Sequence, residues 1–113
     1  MKKELVIGID AGTESVRVGI YDLYGKQVGL GITGYPTYHP EPGWAEQDPN
    51  EWWAALVDSI KKAMNQSGST KDQIIGLSLD TTCATIVPCK NDGTPLRRAL
   101  LWMDIRSHEE AQF

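Results

Sequence analysis

The stretch that decides the fold is Leu5–Ser15, which reads LVIGIDAGTES. Its first half is a compact, mainly β-branched run, the composition of a buried strand. The DAGT that follows has the small and polar residues of a tight turn. Over residues 16–21 apolar residues then alternate with polar or small ones, which predicts a second strand that returns antiparallel to the first. The sequence therefore predicts a β-hairpin with a polar tip.

A helix is predicted to begin at Asp48 and to end at Gly68. Asp48 can cap the helix, Pro49 suits its first position, and Glu51 would complete a capping box. Apolar residues then recur at helical spacing, which is typical of an amphipathic helix on a sheet. The stripe that we expect to pack in the core is built on Trp53, Leu56 and Ile60.

The other elements follow from the same patterns. A glycine-bearing turn at 22–26 leads into a third strand over 28–35, so the first three strands form an antiparallel meander. A loop is predicted at 39–47. The nearly continuous apolar run at 74–79 is typical of a strand covered on both faces. The elements predicted after it are a strand at 84–89, a hairpin turn at 91–93, a return strand at 99–102 and a helix opened by Asp104. This order predicts an α/β domain.

Length and charge limit the function classes. The chain has 113 residues, 41% of them hydrophobic, enough for one modest domain and too few for two. Its net charge is -4 without a block of like charge, so neither nucleic acid nor an acidic membrane is an expected partner. The apolar run near the start is too short for a signal peptide or a spanning helix. We therefore expect a cytoplasmic protein.

The cysteines and histidines do not indicate a disulfide or a transition-metal site. Cys83 and Cys89 lie in one predicted extended stretch, where they could not reach each other, so we expect two small buried thiols. His39 and His108 are isolated in the sequence, without metal-ligand spacing. We interpret both histidines as solvated or locally hydrogen-bonded.

Two nucleotide-binding patterns in the sequence are misleading. Residues 29–34 read GLGITG and match a dinucleotide fingerprint, but that motif must open a helix. Here apolar residues alternate and Pro36 follows, so these glycines are predicted to lie in a strand. Gly25-Lys26 lacks both the glycine spacing and the Ser or Thr of a P-loop.

The hairpin tip offers chemistry suited to a phosphate. Gly12 removes a side chain where backbone N–H groups must approach phosphate oxygens, and Thr13 adds a hydroxyl donor. Asp10 supplies a hard oxygen ligand for hydrated Mg²⁺. Arg17, on the returning strand, can direct a fixed positive charge toward a terminal phosphate. A tight hairpin with a polar tip and no ligand is the alternative that these residues alone leave open.

These residues resemble the first phosphate motif of the actin, sugar-kinase and heat-shock-chaperone superfamily, whose fold is ribonuclease-H-like with a mixed sheet. GWAEQDP at 43–49, followed by a Trp pair, resembles a loop of the FGGY carbohydrate kinases that actin and the chaperones lack. IGLSLDTT at 75–82 and ALLWMDIR at 99–106 match two further segments of that family in order. The resemblance runs from Leu5 to the last residue.

The resemblance implies transfer of the ATP γ-phosphoryl group to a sugar or polyol hydroxyl, with Mg²⁺, in a cleft between two lobes. Residues 1–113 would form the first part of the N-terminal lobe, with a phosphate hairpin at 8–22 and sugar-site segments at 76–85 and 99–106. The remainder of that lobe, the catalytic base and the second, adenine-binding lobe are expected beyond Phe113. This chain alone is therefore expected to be inactive. A homodimer is one expectation for the complete enzyme.

The resemblance also assigns individual residues. The residues expected to bind the nucleotide and its metal are Asp10, Gly12, Thr13, Glu14 and Arg17, with Asp10 as the metal ligand. The residues expected to bind the substrate are Asp80, Thr81, Thr82, Trp102, Asp104 and Arg106. Glu14 departs from the family pattern, in which Thr or Ser is usual. Without the resemblance, Trp102 could equally be a core residue and Asp104 a helix cap.

The sugar and two other functions stay open. The Thr81-Thr82 pair argues against glycerol and xylulose kinases, which carry bulkier pairs, and the Asp80-x-Thr82 pattern resembles the ribulokinase-like branch. A ketopentose such as ribulose is the first choice, with tetritols and hexuloses as alternatives. The other functions are a non-catalytic phosphate- or sugar-binding module and a fold remnant used for protein interaction.

Overall fold

The structure, a computed structural model, describes residues 2–113. Its strands and helix are β1 (Leu5–Ala11), β2 (Ser15–Asp22), β3 (Gln27–Gly34), β4 (Glu46–Gln47), α1 (Pro49–Ser67), β5 (Ile74–Thr81) and β6 (Ala99–Leu100). Two short 3₁₀ turns lie at Lys71–Gln73 and Glu110–Gln112. No helix among residues 2–113 combines the length and the apolar composition needed to cross a bilayer.

One four-stranded mixed sheet forms the body of the molecule. Its strand order is β3-β2-β1-β5, with antiparallel pairing in the meander and parallel pairing between β1 and β5. Apolar side chains that alternate along β1 and β2 point to one face, where α1 covers them. The predicted meander, the helix and the GLGITG strand are therefore confirmed.

The ends of α1 are largely as predicted, but the capping box is wrong. The Asp48 carboxylate accepts from the Asn50 N–H at 2.9 Å, Pro49 is the first helical residue, and Gly68 ends the helix with φ 66°. Glu51, however, does not reach back to the cap, because its carboxylate accepts a hydrogen bond from the Tyr38 hydroxyl at 2.6 Å. Glu51 thus connects the helix to the preceding loop.

The predicted stripe of α1 is only partly confirmed. Leu56 and Ile60 are partly buried and pack against the core, but Trp53 is 69% exposed, so its predicted place in the core is wrong. The fully buried positions are the small residues Ala55, Ser59 and Ala63. The reason lies on β3, where Gly29 and Gly31 let the helix backbone approach so closely that only small side chains fit between.

Gly31→Ala is expected to destabilise the fold by about 1 to 3 kcal/mol or more, because an added methyl group forces the helix away from the sheet. A Cβ at Gly31 would lie 2.0 Å from the Ser59 carbonyl oxygen. Gly76→Ala on β5 is the matched control, since a Cβ there meets no heavy atom within 4 Å. Urea denaturation of both variants measures the difference, and equal midpoints would contradict this packing scheme.

Strand β5 is exposed on both faces, so the prediction of a covered strand is wrong for this chain. Leu77 and Leu79 are 67% and 57% exposed. Strand β5 lies at the sheet edge, and within residues 2–113 its only sheet partner is β1. Its apolar run is the composition of a parallel strand that needs cover from both sides.

The segment after β5 departs most from prediction. Instead of a strand at 84–89 there are only isolated bridges at Ile86 and Cys89, and Ala84, with φ 59°, lies outside the extended region. The turn at 91–93 is confirmed, with Gly93 at φ 87°. The return strand is reduced to β6, which pairs with β4 inside the predicted loop 39–47.

Three further expectations about side chains and the last helix are settled by the structure. Cys83 and Cys89 are both exposed, so the prediction of buried thiols is wrong. His39 and His108 each bond a nearby carbonyl through Nδ1, as expected. Asp104 opens turns and a short 3₁₀ element rather than a helix, although its carboxylate accepts from the Arg106 N–H at 3.0 Å, as a cap would.

The segment after β5 extends the molecule away from the sheet. The Cα radius of gyration is 17.1 Å, against roughly 13 Å for a compact domain of this length. Residues 83–113 pack mainly on the loop before α1 through the β4-β6 pair rather than on the sheet. This places the second predicted sugar segment next to the hairpin tip.

Candidate functional site

The tip of the β1-β2 hairpin is held by its own backbone and by Tyr35. The Gly12 N–H donates to the Ser15 carbonyl at 2.9 Å, which closes the turn. The Tyr35 hydroxyl donates to the Gly12 carbonyl and, at 3.1 Å, to the Ser15 carbonyl. Burial raises the pKa of Tyr35, so its hydroxyl remains a donor at neutral pH. The tip is thus fixed from the end of β3.

Gln47, in β4, holds the same tip from another side. Its side-chain amide donates to the Thr13 carbonyl at 2.6 Å and to the Thr37 hydroxyl at 2.9 Å. Its oxygen accepts from the Trp52 indole N–H at 2.9 Å. Gln47 is only 2% exposed, so these bonds satisfy a fully buried amide. Sequence reasoning missed Gln47 and Tyr35 as site residues. The one signal available in the sequence was that Gln47 is a polar residue just before the helix cap Asp48.

Asp10, Arg17 and Asp80 line one open cavity of about 400 Å³, here called the aspartate cavity. Asp10 faces Arg17 across β1 and β2, with 3.4 Å between the carboxylate and the guanidinium. Asp80 occupies the neighbouring register position on β5. Both partners of the ion pair are about half exposed, so the pair contributes about 1 kcal/mol or less and remains available to a ligand.

Thr81 and Thr82 line a second cavity of about 240 Å³, here called the threonine cavity. The hairpin tip forms its opposite wall through Ala11 and Gly12, and Gln47 forms part of its lining. The Thr82 N–H donates to the Ala11 carbonyl at 3.0 Å, which continues the β1-β5 pairing past the strand end. The predicted phosphate hairpin and the first predicted sugar segment therefore border one cavity.

Trp102 lies over the hairpin tip. It is 58% exposed, and its indole N–H donates to the Thr13 hydroxyl at 3.2 Å. Trp102 is therefore not a core residue. This contact joins two predicted site residues that are 89 positions apart in sequence.

Asp104 and Arg106 belong to a charge cluster with Glu46, away from both cavities. Asp104 accepts from the Ala45 N–H at 2.7 Å and from Arg106, and its side chain is only 4% exposed. Arg106 also donates to Glu46 at 2.7 Å and stacks on Trp44 at 3.9 Å. Arg97 and Arg98 complete the cluster around Glu46.

The charges of this cluster reinforce one another. The Arg106 guanidinium beside Asp104 holds the pKa of that carboxyl well below its usual value, and Asp104 raises the pKa of Arg106 in turn. The cluster joins residues 104–106 to residues 44–46, and thereby fixes the backbone that carries Trp102.

Glu14, the remaining predicted site residue, has an exposed side chain, and its carbonyl accepts from the Tyr35 N–H at 3.1 Å.

Acid is expected to remove the stability that Asp104 contributes. A carboxyl whose folded pKa is depressed stabilises the fold fully above its unfolded pKa, near 3.8, and loses that contribution as pH falls toward the folded pKa. The loss of stability caused by Asp104→Asn should thus be largest at pH 7 and should shrink at pH 3. Urea midpoints of both proteins at pH 7, 5 and 3 check this, and a pH-independent difference would contradict it.

Comparison with known proteins gives one consistent result. A family model described as "FGGY family of carbohydrate kinases, N-terminal domain" matches residues 5–113. The xylulose kinase of Staphylococcus epidermidis is 37% identical over 108 residues, which are 95% of this chain and 22% of that protein. The glycerol kinase of Ligilactobacillus salivarius is 34% identical over 113 residues, 99% of this chain and 22% of that protein.

Solved structures agree with the sequence matches. The crystal structure of a xyloylose kinase from Brucella ovis has a TM-score of 0.91 at 28% identity, covering 96% of this chain and 23% of that one. A xylulose kinase from Bifidobacterium adolescentis gives 0.76 at 29% identity, covering 96% and 20%. The predicted fold class, the mixed sheet of the actin-like ATPase superfamily, is confirmed. The chain spans about a fifth of the length of these relatives.

Proposed function

Because this chain belongs to the FGGY family of carbohydrate kinases, we propose that it forms the first part of the N-terminal lobe of an ATP-dependent sugar or polyol kinase. The observation that carries the proposal is that the hairpin tip and Thr81-Thr82 border one cavity. The ATP phosphates at the tip and the sugar hydroxyl that receives the phosphoryl group at the threonines would then be neighbours, as group transfer requires.

We assign the hairpin to the phosphates of ATP. The Gly12 turn lets backbone N–H groups approach phosphate oxygens, and the Thr13 hydroxyl adds a donor. Arg17 supplies positive charge from the neighbouring strand position. Glu14 remains in this group as a prediction.

Asp10 is our candidate for holding Mg²⁺, and its surroundings fit that ion. Its half-exposed carboxylate offers hard oxygen atoms in an open cavity, which suits an ion that keeps most of its water. When bound, Mg²⁺ neutralises phosphate charge. The chain's own contribution is to hold oxygen ligands beside the hairpin and to balance their charge with Arg17.

We assign the sugar to Thr81, Thr82, Trp102 and Asp80. Hydroxyl groups both donate to and accept from sugar hydroxyls, and the exposed indole face of Trp102 suits apolar C–H groups. Asp104 and Arg106 would serve the sugar by fixing the Trp102 segment, since their hydrogen bonds are made within the charge cluster. A ketopentose such as ribulose is our proposed substrate because of the Asp80-x-Thr82 pattern.

The remaining parts of the machinery are proposals about the complete enzyme. Its general base and adenine site would come from residues beyond Phe113. We place it in the cytoplasm, where ATP is supplied to metabolism, and a homodimer stays a prediction.

The experiment that tests the proposal is a coupled ADP-release assay on the complete protein with a panel of ketopentoses, tetritols, hexuloses, xylulose and glycerol. Turnover is expected only when a sugar or polyol is added, with ribulose the best substrate. Preference for another panel member would correct the sugar alone. ATP and sugar binding without any turnover would instead favour a non-catalytic module.

A further inference from the structure

Thr13, at the hairpin tip, is hydrogen-bonded by two side chains, those of Gln47 and Trp102. Its carbonyl accepts from Gln47, and its hydroxyl accepts from the Trp102 indole N–H at 3.2 Å. We propose that the Trp102–Thr13 hydrogen bond couples sugar binding to nucleotide binding, with Trp102 as a positioning residue for the phosphate hairpin. This inference rests on the proposed function and deepens it.

The chemistry of the two groups favours this role. An indole N–H can only donate, whereas a threonine hydroxyl has one proton and two lone pairs. When the Thr13 hydroxyl accepts from Trp102, its own proton is left to point at another acceptor. A phosphate oxygen is the strongest acceptor that the hairpin would meet, because hydrogen bonds to charged groups are the stronger ones. Trp102 therefore prepares Thr13 to donate to phosphate.

The packing of Trp102 explains how a sugar would control this bond. The chain on which Trp102 stands is fixed, since the Leu101 N–H donates to the Ala45 carbonyl at 3.0 Å and Asp104 accepts from the Ala45 N–H. The indole ring itself is 58% exposed, and its N–H donates to the Thr13 hydroxyl. A sugar packed on the ring would restrict its rotamers and stabilise the orientation that reaches Thr13.

Thermodynamic linkage makes the inference measurable. If sugar binding stabilises the Trp102–Thr13 bond, then sugar must tighten nucleotide binding, and nucleotide must tighten sugar binding by the same factor. Calorimetry on the complete protein gives this factor as the ratio of nucleotide Kd values without and with saturating D-ribulose. The β,γ-imido analogue of ATP with Mg²⁺ serves as the nucleotide probe. If ribulose gives no turnover, the panel member that does replaces it.

Trp102→Phe keeps an aromatic face for the sugar but removes the N–H donor. We expect it to reduce the coupling factor by about three- to tenfold, the value of one hydrogen bond. Thr13→Val should reduce the factor equally, and the matched control Thr13→Ser, which keeps the hydroxyl, should preserve it. The double variant should lose no more than either single one, because both remove the same bond. Should Trp102→Phe fail to fold, the comparison of Thr13→Val with Thr13→Ser tests the same bond.

Two results would overturn the inference. Equal nucleotide affinity with and without sugar in the unmodified protein would show that no coupling exists. A Trp102→Phe protein with weaker sugar binding but an unchanged coupling factor would reduce Trp102 to a contact surface. The turnover assay tests the proposed function separately: absence of any sugar-dependent turnover would overturn that function, whereas turnover with an unchanged coupling factor would overturn only the inference.

Discussion

Asp10→Asn is expected to lower sugar phosphorylation by the complete enzyme on the order of 10²-fold or more, the usual cost of removing an electrostatic contact from a transition state. Sugar affinity should change less than about threefold, because Asp10 is assigned to phosphate and metal, whereas the threonines assigned to the sugar line the other cavity. Steady-state ADP release and sugar titration by calorimetry measure the two effects. Loss of sugar affinity with persisting ATP hydrolysis would show that the two sites are inverted.

Thr82→Arg is expected to impair sugar binding rather than phosphoryl transfer, and so checks the assignment of the two sites from the sugar side. A long charged side chain would fill much of the 240 Å³ threonine cavity and remove the hydroxyl. Sugar affinity should fall on the order of 10²-fold, since a hydroxyl partner is lost and space is taken. The affinity for ATP should be retained. Thr82→Ser, which keeps the hydroxyl, is the matched control and should retain most sugar affinity.

The sheet and the hairpin could be predicted because their determinants are local. Alternation along β1 to β3 and the DAGT turn specify a meander without reference to distant residues. The same alternation showed that Gly29 and Gly31 lie in a strand rather than in a nucleotide loop. The reason for those glycines, however, is the close approach of α1, which would leave a Cβ at Gly29 or Gly31 only 2.4 or 2.0 Å from a helix carbonyl oxygen and which no local pattern reveals.

The buried face of α1 and the support of the site could not be read from the sequence because they depend on distant partners. Helical spacing identifies an apolar stripe but not whether Trp53 or Ala55 faces the sheet. Gln47 gains its role only because the chain brings the Thr13 carbonyl and the Trp52 indole to it. Motif residues of the site such as Asp10 and Thr82 are visible in sequence, whereas the side chains that hold them are not.

Asp104 shows the same dependence on distant partners. The family resemblance implied a sugar ligand, and the residues alone left a helix cap open. In the structure its oxygens accept from Arg106 and from the Ala45 N–H, so it holds the second predicted sugar segment on the loop before α1. This contact depends on residue 45, which lies 59 positions away in the chain.

The 113-residue chain alone is expected to show no sugar-dependent ADP release above background. Phosphoryl transfer needs an in-line arrangement of nucleophile and phosphate inside a closed site, and both candidate cavities here are open to solvent. The general base is proposed to come from residues beyond Phe113, and assistance by such a base alone contributes about 10²- to 10⁴-fold to the rate.

Two of the three aspartates predicted for the site are poor substitutes for that base. Asp10 is paired with Arg17, and Asp104 is held by Arg106 with its pKa lowered, which makes it a weaker proton acceptor. Asp80 is the remaining candidate, exposed at the end of β5. The deciding assay compares the 113-residue chain with the complete protein over the same sugar panel. Turnover by the short chain that disappears on Asp80→Asn would contradict this prediction and would make Asp80 the base.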